Sequence, residues 1–250
     1  MNESRDGRAA GVMNDDAFIP GPLLVVSPHC DDGVLSCGAL IAMHPGAIVA
    51  TVFAGSPARY EPFTEWDRSS GFAPGDDVMA LRRDEDRRAL EALSAHPVWL
   101  PFCDSQYRDT PPVGEIANAL GDTLRRHAPR CVAFPLGLFH SDHVLTHDAM
   151  MALAPGRERR WLLYVDALYR RIPGFVDERV AKLSHAGHGL HPVHMPVSAR
   201  AAALKRAAVD CYRSQLRALA TPGRLGHLDA YEPEAYLQLA VMEESRHAAA

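Results

Sequence analysis

The chain has 250 residues, of which 47% are hydrophobic and 23% charged, the proportions of an ordinary soluble globular protein. Its formal net charge of −5, without any block of like charge, argues against a nucleic-acid partner. No apolar run approaches the ~18–20 residues that cross a bilayer, and the first eighteen residues lack the apolar stretch of a signal peptide. We therefore expect a cytoplasmic protein with no membrane partner, acting on a small molecule.

The length predicts one α/β domain over residues 21–250, preceded by a flexible N-terminal arm over residues 1–20. The five cysteines are odd in number and widely spread, and no two of them form a Cys-x-x-Cys pair. This pattern favours neither a disulfide framework nor a thiolate zinc site.

The first predicted element is a buried strand that ends at Pro28, because proline cannot donate a ladder hydrogen bond. His29, Asp31 and Asp32 follow at once. In α/β folds ligands bind beyond the carboxyl ends of the strands, so these side chains are candidates for holding a divalent ion and activating water. The alternative is a plain helix start, in which Asp31 or Asp32 is the N-cap.

Strands and helices alternate along the rest of the chain. The apolar pattern predicts further strands at residues 47–54, 98–102, 131–134 and 161–168, edge strands at 179–183 and 193–197, and helices at 33–43, 77–95, 113–127, 143–152 and 199–219. This order predicts a Rossmann-like, mostly parallel sheet with helices on both faces. No Gly-x-Gly-x-x-Gly follows any strand, so dinucleotide binding is not indicated.

The segment at residues 56–76 is rich in proline, glycine and aromatic residues. A loop of this length beyond a strand is typical of a lid or a pocket wall. A disordered insertion is the alternative, and the aromatic content argues against it.

A second polar cluster, His140, Asp142 and His143, follows the predicted strand at residues 131–134. Parallel strands end at the same rim, so a ligand from this cluster can reach a metal held by the first cluster. Two imidazoles and a carboxylate with an open position form a catalytic arrangement for Zn²⁺, and Fe²⁺ is equally suited. Instead of belonging to the site, Asp142 could be a plain N-cap of the helix that follows.

With both clusters in view, the sequence resembles the LmbE-like (PIG-L) family of zinc-dependent N-acetylglucosaminyl deacetylases. The P-H-x-D-D and H-x-D-H stretches of that family correspond to residues 28–32 and 140–143. Lesser matches are an R-x-x-E, a D-S and a late K…Y-x-S-Q, formed by Arg82, Glu85, Asp104, Ser105, Lys205, Tyr212, Ser214 and Gln215. The resemblance covers roughly residues 22–220.

The resemblance implies a role for each residue of the two clusters. His29, Asp32 and His143 would bind the metal, with Asp31 as the general base. His140, if protonated, would stabilise the tetrahedral intermediate, and Asp142 would hold His140 by a hydrogen bond.

The resemblance also implies that Arg82 and Asp104 contact sugar hydroxyls. For Arg82 a surface salt bridge is the competing explanation, and Arg83 is an alternative occupant of the position. For Lys205, Tyr212 and Gln215 a structural role, pinning a polar helix face to the core, is preferred.

Two positions depart from the family pattern. Gly33 stands where many relatives carry Glu, and Leu138 stands where some carry Tyr. Either His140 alone stabilises the intermediate, or Tyr60 or Tyr107 supplies the missing hydroxyl.

Four histidines with no assigned role, His185, His188, His191 and His194, are spaced by three residues. Glycines and a proline among them exclude a continuous helix. A solvated loop, a pocket wall that carries one histidine, or a second metal site remain as interpretations.

The sequence thus predicts a metal-dependent amide hydrolase that removes an acetyl or similar short acyl group from an N-acetylated amino-sugar compound, with Zn²⁺ or Fe²⁺ as cofactor. The alternatives are a metallo-phosphoesterase, which usually needs two metals, and a non-catalytic sugar-binding domain, which would not need Asp31. The resemblance also allows a homo-oligomer.

Overall fold

The computed structural model describes residues 19–107, 110–153 and 158–240. Nearly all of the predicted N-terminal arm lies outside these residues, so the arm stays a prediction. The described strands are β1 (Leu23–Ser27), β2 (Ile48–Thr51), β3 (His96–Trp99), β4 (Cys131–Pro135), β5 (Arg160–Tyr164), β6 (Gly189–Val193) and β7 (Tyr236–Ala240). The described helices are α1 (Asp32–Ala42), α2 (Glu65–Ser70), α3 (Val78–Ala92), α4 (Val113–His127), α5 (Ser141–Ala152), α6 (Phe175–His185), α7 (Ala199–Val209) and α8 (Arg213–Leu219).

These strands form one mixed sheet in the order β3-β2-β1-β4-β5-β7-β6. The first five strands in this order, from β3 to β5, pair in parallel. Strand β7 pairs antiparallel with both β5 and β6. Helices α1, α3, α7 and α8 contribute to the core on one face, and α4, α5 and α6 contribute to the core on the other. The predicted Rossmann-like, mostly parallel sheet with helices on both faces is therefore confirmed.

The central strand β1 shows why its sequence is apolar without interruption. Leu23 and Val25 pack into the core on one face of the sheet, whereas Leu24 and Val26 pack into the core on the other. Successive side chains of a strand point to opposite faces, so a strand covered on both sides needs apolar residues at every position. Pairing along β1 ends at Ser27, one residue before Pro28.

The C-terminal third differs from the sequence prediction. The strand predicted at residues 179–183 is wrong, because this segment lies in α6, where Val176, Val180 and Leu183 pack on the core at helical spacing. The strand predicted at 193–197 is also wrong, since β6 ends at Val193.

Two further differences concern the end of the chain. The helix predicted at residues 199–219 is two helices, α7 and α8, separated by residues 210–212. At this break the buried hydroxyl of Tyr212 donates a hydrogen bond of 2.8 Å to Asp86 on α3. Strand β7 was not predicted from the sequence.

The segment at residues 56–76 contains α2, whose N-cap Thr64 accepts a hydrogen bond from the backbone N–H of Asp67. Trp66 on α2 packs against the core and faces the cavity described below. Of residues 56–76, Trp66 is the one in the lining of this cavity, in line with the predicted pocket wall. In the described residues no helix has both the length and the apolar character needed to cross a membrane.

Candidate metal centre and active site

The two polar clusters predicted from the sequence, at residues 29–32 and 140–143, meet at the carboxyl rim of the sheet. Strands β1 and β4 are parallel neighbours, so the residues that follow them lie side by side. The backbone then turns into helices α1 and α5, which begin at Asp32 and Ser141. His29, Asp31 and His143 are all buried.

Three side chains form a compact group at this rim. Oδ2 of Asp32 lies 2.9 Å from Nδ1 of His29 and 3.0 Å from Nε2 of His143. One ligand atom from each of the three residues lies within 4.8 Å of the other two. This is the ligand set that the family resemblance implied.

Both imidazoles are fixed from behind by carboxylates. Nε2 of His29 donates to Oδ2 of Asp142 over 3.0 Å, and Nδ1 of His143 donates to Oδ1 of Asp166 over 2.6 Å. A carboxylate that accepts the outer N–H of a histidine leaves the other ring nitrogen unprotonated and oriented for a metal. In both rings the other nitrogen faces Oδ2 of Asp32.

The group fits a divalent ion on two further observations. Nε2 of His143 is buried, and its 3.0 Å contact with Oδ2 of Asp32 lacks the geometry of a hydrogen bond, which is rare for a buried polar atom. Burial lowers the pKa of His143, but Asp32 and Asp166 outweigh it and raise the pKa to about 9. The surroundings therefore favour positive charge at this position, which a bound cation provides.

A second combination, His29, His140 and Asp142, also brings its ligand atoms within 4.8 Å of one another. In this combination Nε2 of His29 is already hydrogen-bonded to Asp142, and Nδ1 of His140 accepts from the backbone N–H of Asp142. In the first group one ring nitrogen of each histidine faces the same oxygen of Asp32, so this group is the better candidate metal site.

Asp142 does not hold His140 through its side chain, contrary to the expectation. Its carboxylate accepts hydrogen bonds from His29 and from the backbone N–H of Ser105. The difference arises because Asp142 lies in the first turn of α5, from which its side chain reaches across to the loop after β1. Asp142 positions the ring of His29 instead. The plain N-cap alternative is also wrong, since His140 is the N-cap of α5.

Asp166 is a site residue that the sequence analysis missed. It follows β5 and is fully buried, and besides His143 it accepts hydrogen bonds from the backbone N–H groups of Gly137 and Leu138. Its position at the carboxyl end of the fifth strand was the available signal. The predicted strand at residues 161–168 hid it by extending past it.

We expect Asp166→Asn to weaken metal binding about 10–100-fold, because the amide removes the charge that orients and polarises His143. Zinc affinity measured by competition with a chelator tests this. Asp148→Asn, a half-exposed carboxylate on the same helix as His143, is the matched control and should bind zinc like the unchanged chain. Equal affinities in both variants would contradict the role of Asp166.

Asp31 stands at the N-cap position of α1, but its side chain makes no capping hydrogen bond. Burial and the neighbouring charge of Asp32 raise the pKa of Asp31 to about 6, against the opposing effect of Arg82. Arg82 Nη2 lies 4.0 Å from Oδ1 of Asp31. The Asp31 carboxylate therefore lines the cavity and does not cap the helix. Its pKa of about 6 lies close to neutral pH.

His140 is the N-cap of α5, and its Nδ1 accepts a hydrogen bond of 3.2 Å from the backbone N–H of Asp142. Since that nitrogen is the acceptor, the proton of a neutral ring lies on Nε2. Burial and the charges of His29 and His143 lower the pKa of His140 to about 4. The protonated His140 expected from the sequence is therefore not favoured near neutral pH.

Arg82 is buried, so the surface salt bridge weighed for it is wrong. Its Nη1 lies 3.3 Å from Oδ2 of Asp104. Gln106 also holds this carboxylate, with its backbone N–H donating to Oδ1 and its side-chain amide donating to Oδ2. Arg83 instead donates to the carbonyl of Ala54. Arg82 and Asp104 thus form a fixed polar pair beside Asp31.

The tyrosine nearest the two clusters is Tyr169, which the sequence analysis did not single out. Its ring centroid lies 5.0 Å from that of His143 and 6.5 Å from that of His140. The two tyrosines considered from the sequence are engaged elsewhere, since Tyr60 donates to Asp77 and Tyr107 to Asp67.

Gly33, the first departure from the family pattern, has a steric reason. A Cβ at this position would lie 3.1 Å from Cβ and Oγ of Ser27. The backbone N–H of Gly33 donates to that same Oγ over 2.7 Å. A side chain here would require Ser27 or the start of α1 to shift by a few tenths of an ångström.

Lys205 and Tyr212 have the structural role preferred for them from the sequence, whereas Gln215 also borders the cavity. Lys205 forms a buried ion pair of 3.0 Å with Glu234, and Tyr212 donates to Asp86. Gln215 accepts from Nε1 of Trp66 and lines the cavity. No cluster of metal-binding side chains among the described residues includes the four histidines between 185 and 194.

A cavity of about 560 Å³ adjoins the metal-binding group. Its lining combines buried charged residues with apolar residues, of which Phe139 and Leu225 are exposed. The lining comprises His29, Asp31, Asp32, Trp66, Arg82, Asp104, Gln106, Phe139, His140, Leu168, Tyr169, Ile172, Gln215, Leu219, Gly223, Arg224 and Leu225. The volume is that of a pocket for a small molecule.

Comparison with protein families matches residues 24–154 to the family PIG-L, described as GlcNAc-PI de-N-acetylase. A comparison with curated protein sequences found no match.

Deacetylases are among the similar solved structures. A deacetylase of the teicoplanin biosynthesis pathway is 25% identical, covers 89% of this chain and 99% of its own, and has a TM-score of 0.74. The A40926 pseudoaglycone deacetylase is 26% identical, with coverages of 89% and 98% and a TM-score of 0.72. The zinc-inhibited form of teicoplanin deacetylase is 25% identical, with coverages of 89% and 99% and a TM-score of 0.74.

Proposed function

This chain belongs to the PIG-L deacetylase family, and from that premise we propose that it is a metal-dependent amide hydrolase that removes an acetyl or similar short acyl group from an N-acetylated amino-sugar compound. The observation that carries the proposal is the group His29, Asp32 and His143 with the uncoordinated carboxylate of Asp31 beside it. A metal-binding protein without catalytic activity would not need that free carboxylate.

His29, Asp32 and His143 would hold the ion, with Asp142 and Asp166 orienting the two imidazoles. When bound, Zn²⁺ or Fe²⁺ would polarise the carbonyl of the amide and lower the pKa of a water molecule. Three protein ligands leave the open position that catalytic sites require.

Asp31 is the proton carrier in this proposal. It takes a proton from the attacking water as the water oxygen bonds to the carbonyl carbon. When the bond from carbon to nitrogen breaks, Asp31 returns the proton to the departing amine. The products are the free amino sugar and the carboxylic acid, and Asp31 ends in its starting state.

His140 would stabilise the negative charge that develops on the carbonyl oxygen. Because its Nδ1 accepts from the backbone of Asp142, its Nε2–H is the donor that can face the substrate. A neutral imidazole fixed in one tautomer at a helix N-terminus can act as this electrophile without being protonated.

Arg82, Asp104 and Gln106 would bind the sugar hydroxyls at the base of the cavity. Their mutual contacts fix them before a substrate arrives, which lowers the entropic cost of binding. Similar proteins support a sugar substrate, since one is named a pseudoaglycone deacetylase and another belongs to teicoplanin biosynthesis.

The test is release of acetate from a panel of N-acetylglucosamine conjugates after chelation and after addition of Zn²⁺ or Fe²⁺. We expect release only with metal, and one metal ion bound per chain. Two ions per chain together with hydrolysis of phosphate esters would favour a metallo-phosphoesterase. A chain that binds sugar but releases no acetate with metal present would favour a non-catalytic binding domain.

The pH dependence offers a separate prediction. The positive charge of Arg82 lowers the pKa of Asp31, so Arg82→Gln should raise that pKa. A general base acts in its unprotonated form, and activity is lost as pH falls through its pKa. The acidic limb of the plot of kcat/KM against pH should therefore move to higher pH in this variant.

Arg83→Gln is the matched control, because Arg83 is the next residue and bonds to Ala54 and Ser56 instead of Asp31. Its acidic limb should coincide with that of the unchanged chain. An unmoved limb in Arg82→Gln, in a variant that folds by circular dichroism, would contradict the coupling between Arg82 and Asp31.

A further inference from the structure

The hydroxyl group of Tyr169 has no partner within the described part of the chain. The other six of the seven tyrosines each donate to an oxygen atom of the protein, at Asp67, Asp77, Asp86, Asp210, Glu234 and the backbone carbonyl of Val26. Tyr169 is half-buried, lines the cavity and packs against the ring of His143, yet its hydroxyl makes no hydrogen bond to a described residue. Tyrosine hydroxyls inside proteins usually find a partner, so this one is available to a ligand.

Tyr169 follows a strained turn of the backbone. Leu168 has φ of 70° and ψ of −54°, and the N–H of Tyr169 donates over 2.9 Å to the carbonyl of Ala167. These values describe a γ-turn with positive φ, a conformation that is rare and costly for a residue with a side chain. The turn is held from behind, because Oδ2 of Asp229 accepts both the N–H of Leu168 and Nε of Arg170, each over 2.8 Å.

His140 follows a turn with the same hydrogen-bond pattern. Its N–H donates over 2.6 Å to the carbonyl of Leu138, and Phe139 between them has φ of 58°. The rings of His140 and Tyr169 are stacked, with centroids 6.5 Å apart, and both lie against the ring of His143. Backbone strain of this kind is concentrated at active sites. Strained turns after the neighbouring strands β4 and β5 thus bring a histidine and a tyrosine together beside the metal-binding group.

We propose that Tyr169 is a catalytic residue, whose hydroxyl donates a hydrogen bond to the carbonyl oxygen of the amide as negative charge develops there. A phenol is protonated at neutral pH and is therefore a donor. With the Nε2–H of His140 it forms a pair of fixed donors, the arrangement by which acyl-transfer sites stabilise a tetrahedral intermediate. Tyr169 keeps its proton throughout, so the proton balance through Asp31 is unchanged. The inference rests on the proposed deacetylation and adds a residue to it.

A structural role of the hydroxyl would have a different signature. A hydroxyl without a partner adds nothing to the stability of the fold, and its removal is neutral or stabilising. Tyr169→Phe keeps the ring that packs against Phe139 and His143. We therefore expect the metal-free variant to unfold at the same temperature as the unchanged chain or above it, and to bind one zinc ion with unchanged affinity.

Activity should fall in the same variant. We expect Tyr169→Phe to lower kcat about 10²–10³-fold, the loss typical of removing one donor from an oxyanion site. KM should stay the same, because the hydrogen bond strengthens in the transition state. The assay is acetate release from the panel of N-acetylglucosamine conjugates under saturating zinc. Tyr60→Phe is the matched control and should keep full activity, since its hydroxyl is bonded to Asp77 and Tyr60 does not line the cavity.

Binding of a tetrahedral analogue gives a readout that does not depend on turnover. The probe is the methyl glycoside of N-(methylphosphonyl)glucosamine, which carries a charged oxygen on tetrahedral phosphorus in place of the acetyl carbonyl. In calorimetry with zinc-loaded protein, Tyr169→Phe should weaken the Kd of this compound by about the factor lost in kcat. The Kd of the methyl glycoside of N-acetylglucosamine, measured in Asp31→Asn with and without Tyr169→Phe, should not change.

Equal kcat and equal Kd for the phosphonyl compound in Tyr169→Phe and the unchanged chain would overturn the inference and leave the deacetylation intact. A lower unfolding temperature or a loss of zinc in Tyr169→Phe would also overturn it, because the hydroxyl would then serve the fold or the metal site. Absence of acetate release from the unchanged chain would refute the proposed function, and the catalytic role of Tyr169 with it.

Discussion

Replacing Asp31 by asparagine should lower kcat/KM about 10²–10⁴-fold, the range by which a positioned general acid or base accelerates a reaction. The amide has nearly the shape of the carboxylate but cannot accept the proton of the attacking water. Asp31 makes no capping hydrogen bond, so α1 should keep its start. Acetate release under saturating zinc, with metal content measured on the same sample, checks the prediction.

Metal content is the informative control for this variant. Asp31 does not belong to the group of His29, Asp32 and His143, so Asp31→Asn should still bind one ion per chain. If the variant loses both activity and metal, Asp31 is a ligand and the assignment of the base is wrong. If it keeps activity within tenfold of the unchanged chain, another group carries the proton.

Replacing Asp32 by alanine should remove metal binding together with activity. Oδ2 of Asp32 is the atom that lies within 3.0 Å of ring nitrogens of both His29 and His143. Losing an outer partner of a ligand typically costs 10–100-fold in metal affinity, and losing a ligand itself should cost more than about 100-fold. Competition with a chromogenic chelator measures the affinity, and elemental analysis measures the stoichiometry.

Asp31→Asn is also the matched control for this second variant. The two substitutions remove the same charge from adjacent residues, yet only Asp32→Ala should lose the ion. A tightly bound ion that survives Asp32→Ala would contradict the ligand set. It would favour the alternative group of His29, His140 and Asp142.

The sequence alone predicted the parallel part of the sheet and the place of the candidate site. The apolar run before Pro28 needed no tertiary information, because a strand covered on both faces must be apolar throughout. The two motifs at residues 28–32 and 140–143 predicted where the metal-binding group lies, since parallel strands share one rim. Family membership follows from the same stretches and is confirmed by the match over residues 24–154.

Only the tertiary structure decided how that group is supported. Asp142 contacts a residue 113 positions away in the chain, and His143 contacts one 23 positions away, Asp166. The burial of Arg82 depends likewise on Asp104, which is brought to it by another strand. Local patterns carry no information about such pairs, because their partners come from different loops.

The same limit explains the errors at the C-terminal end and the tyrosine beside the site. Strand β7 exists because β5 and β6 offer it backbone partners on both sides, and helix α6 exists because the core receives its apolar face. Tyr169 reaches His143 through the turn after β5. The sequence predicted which residues carry the chemistry, and only packing between distant segments decided which residues hold them in place.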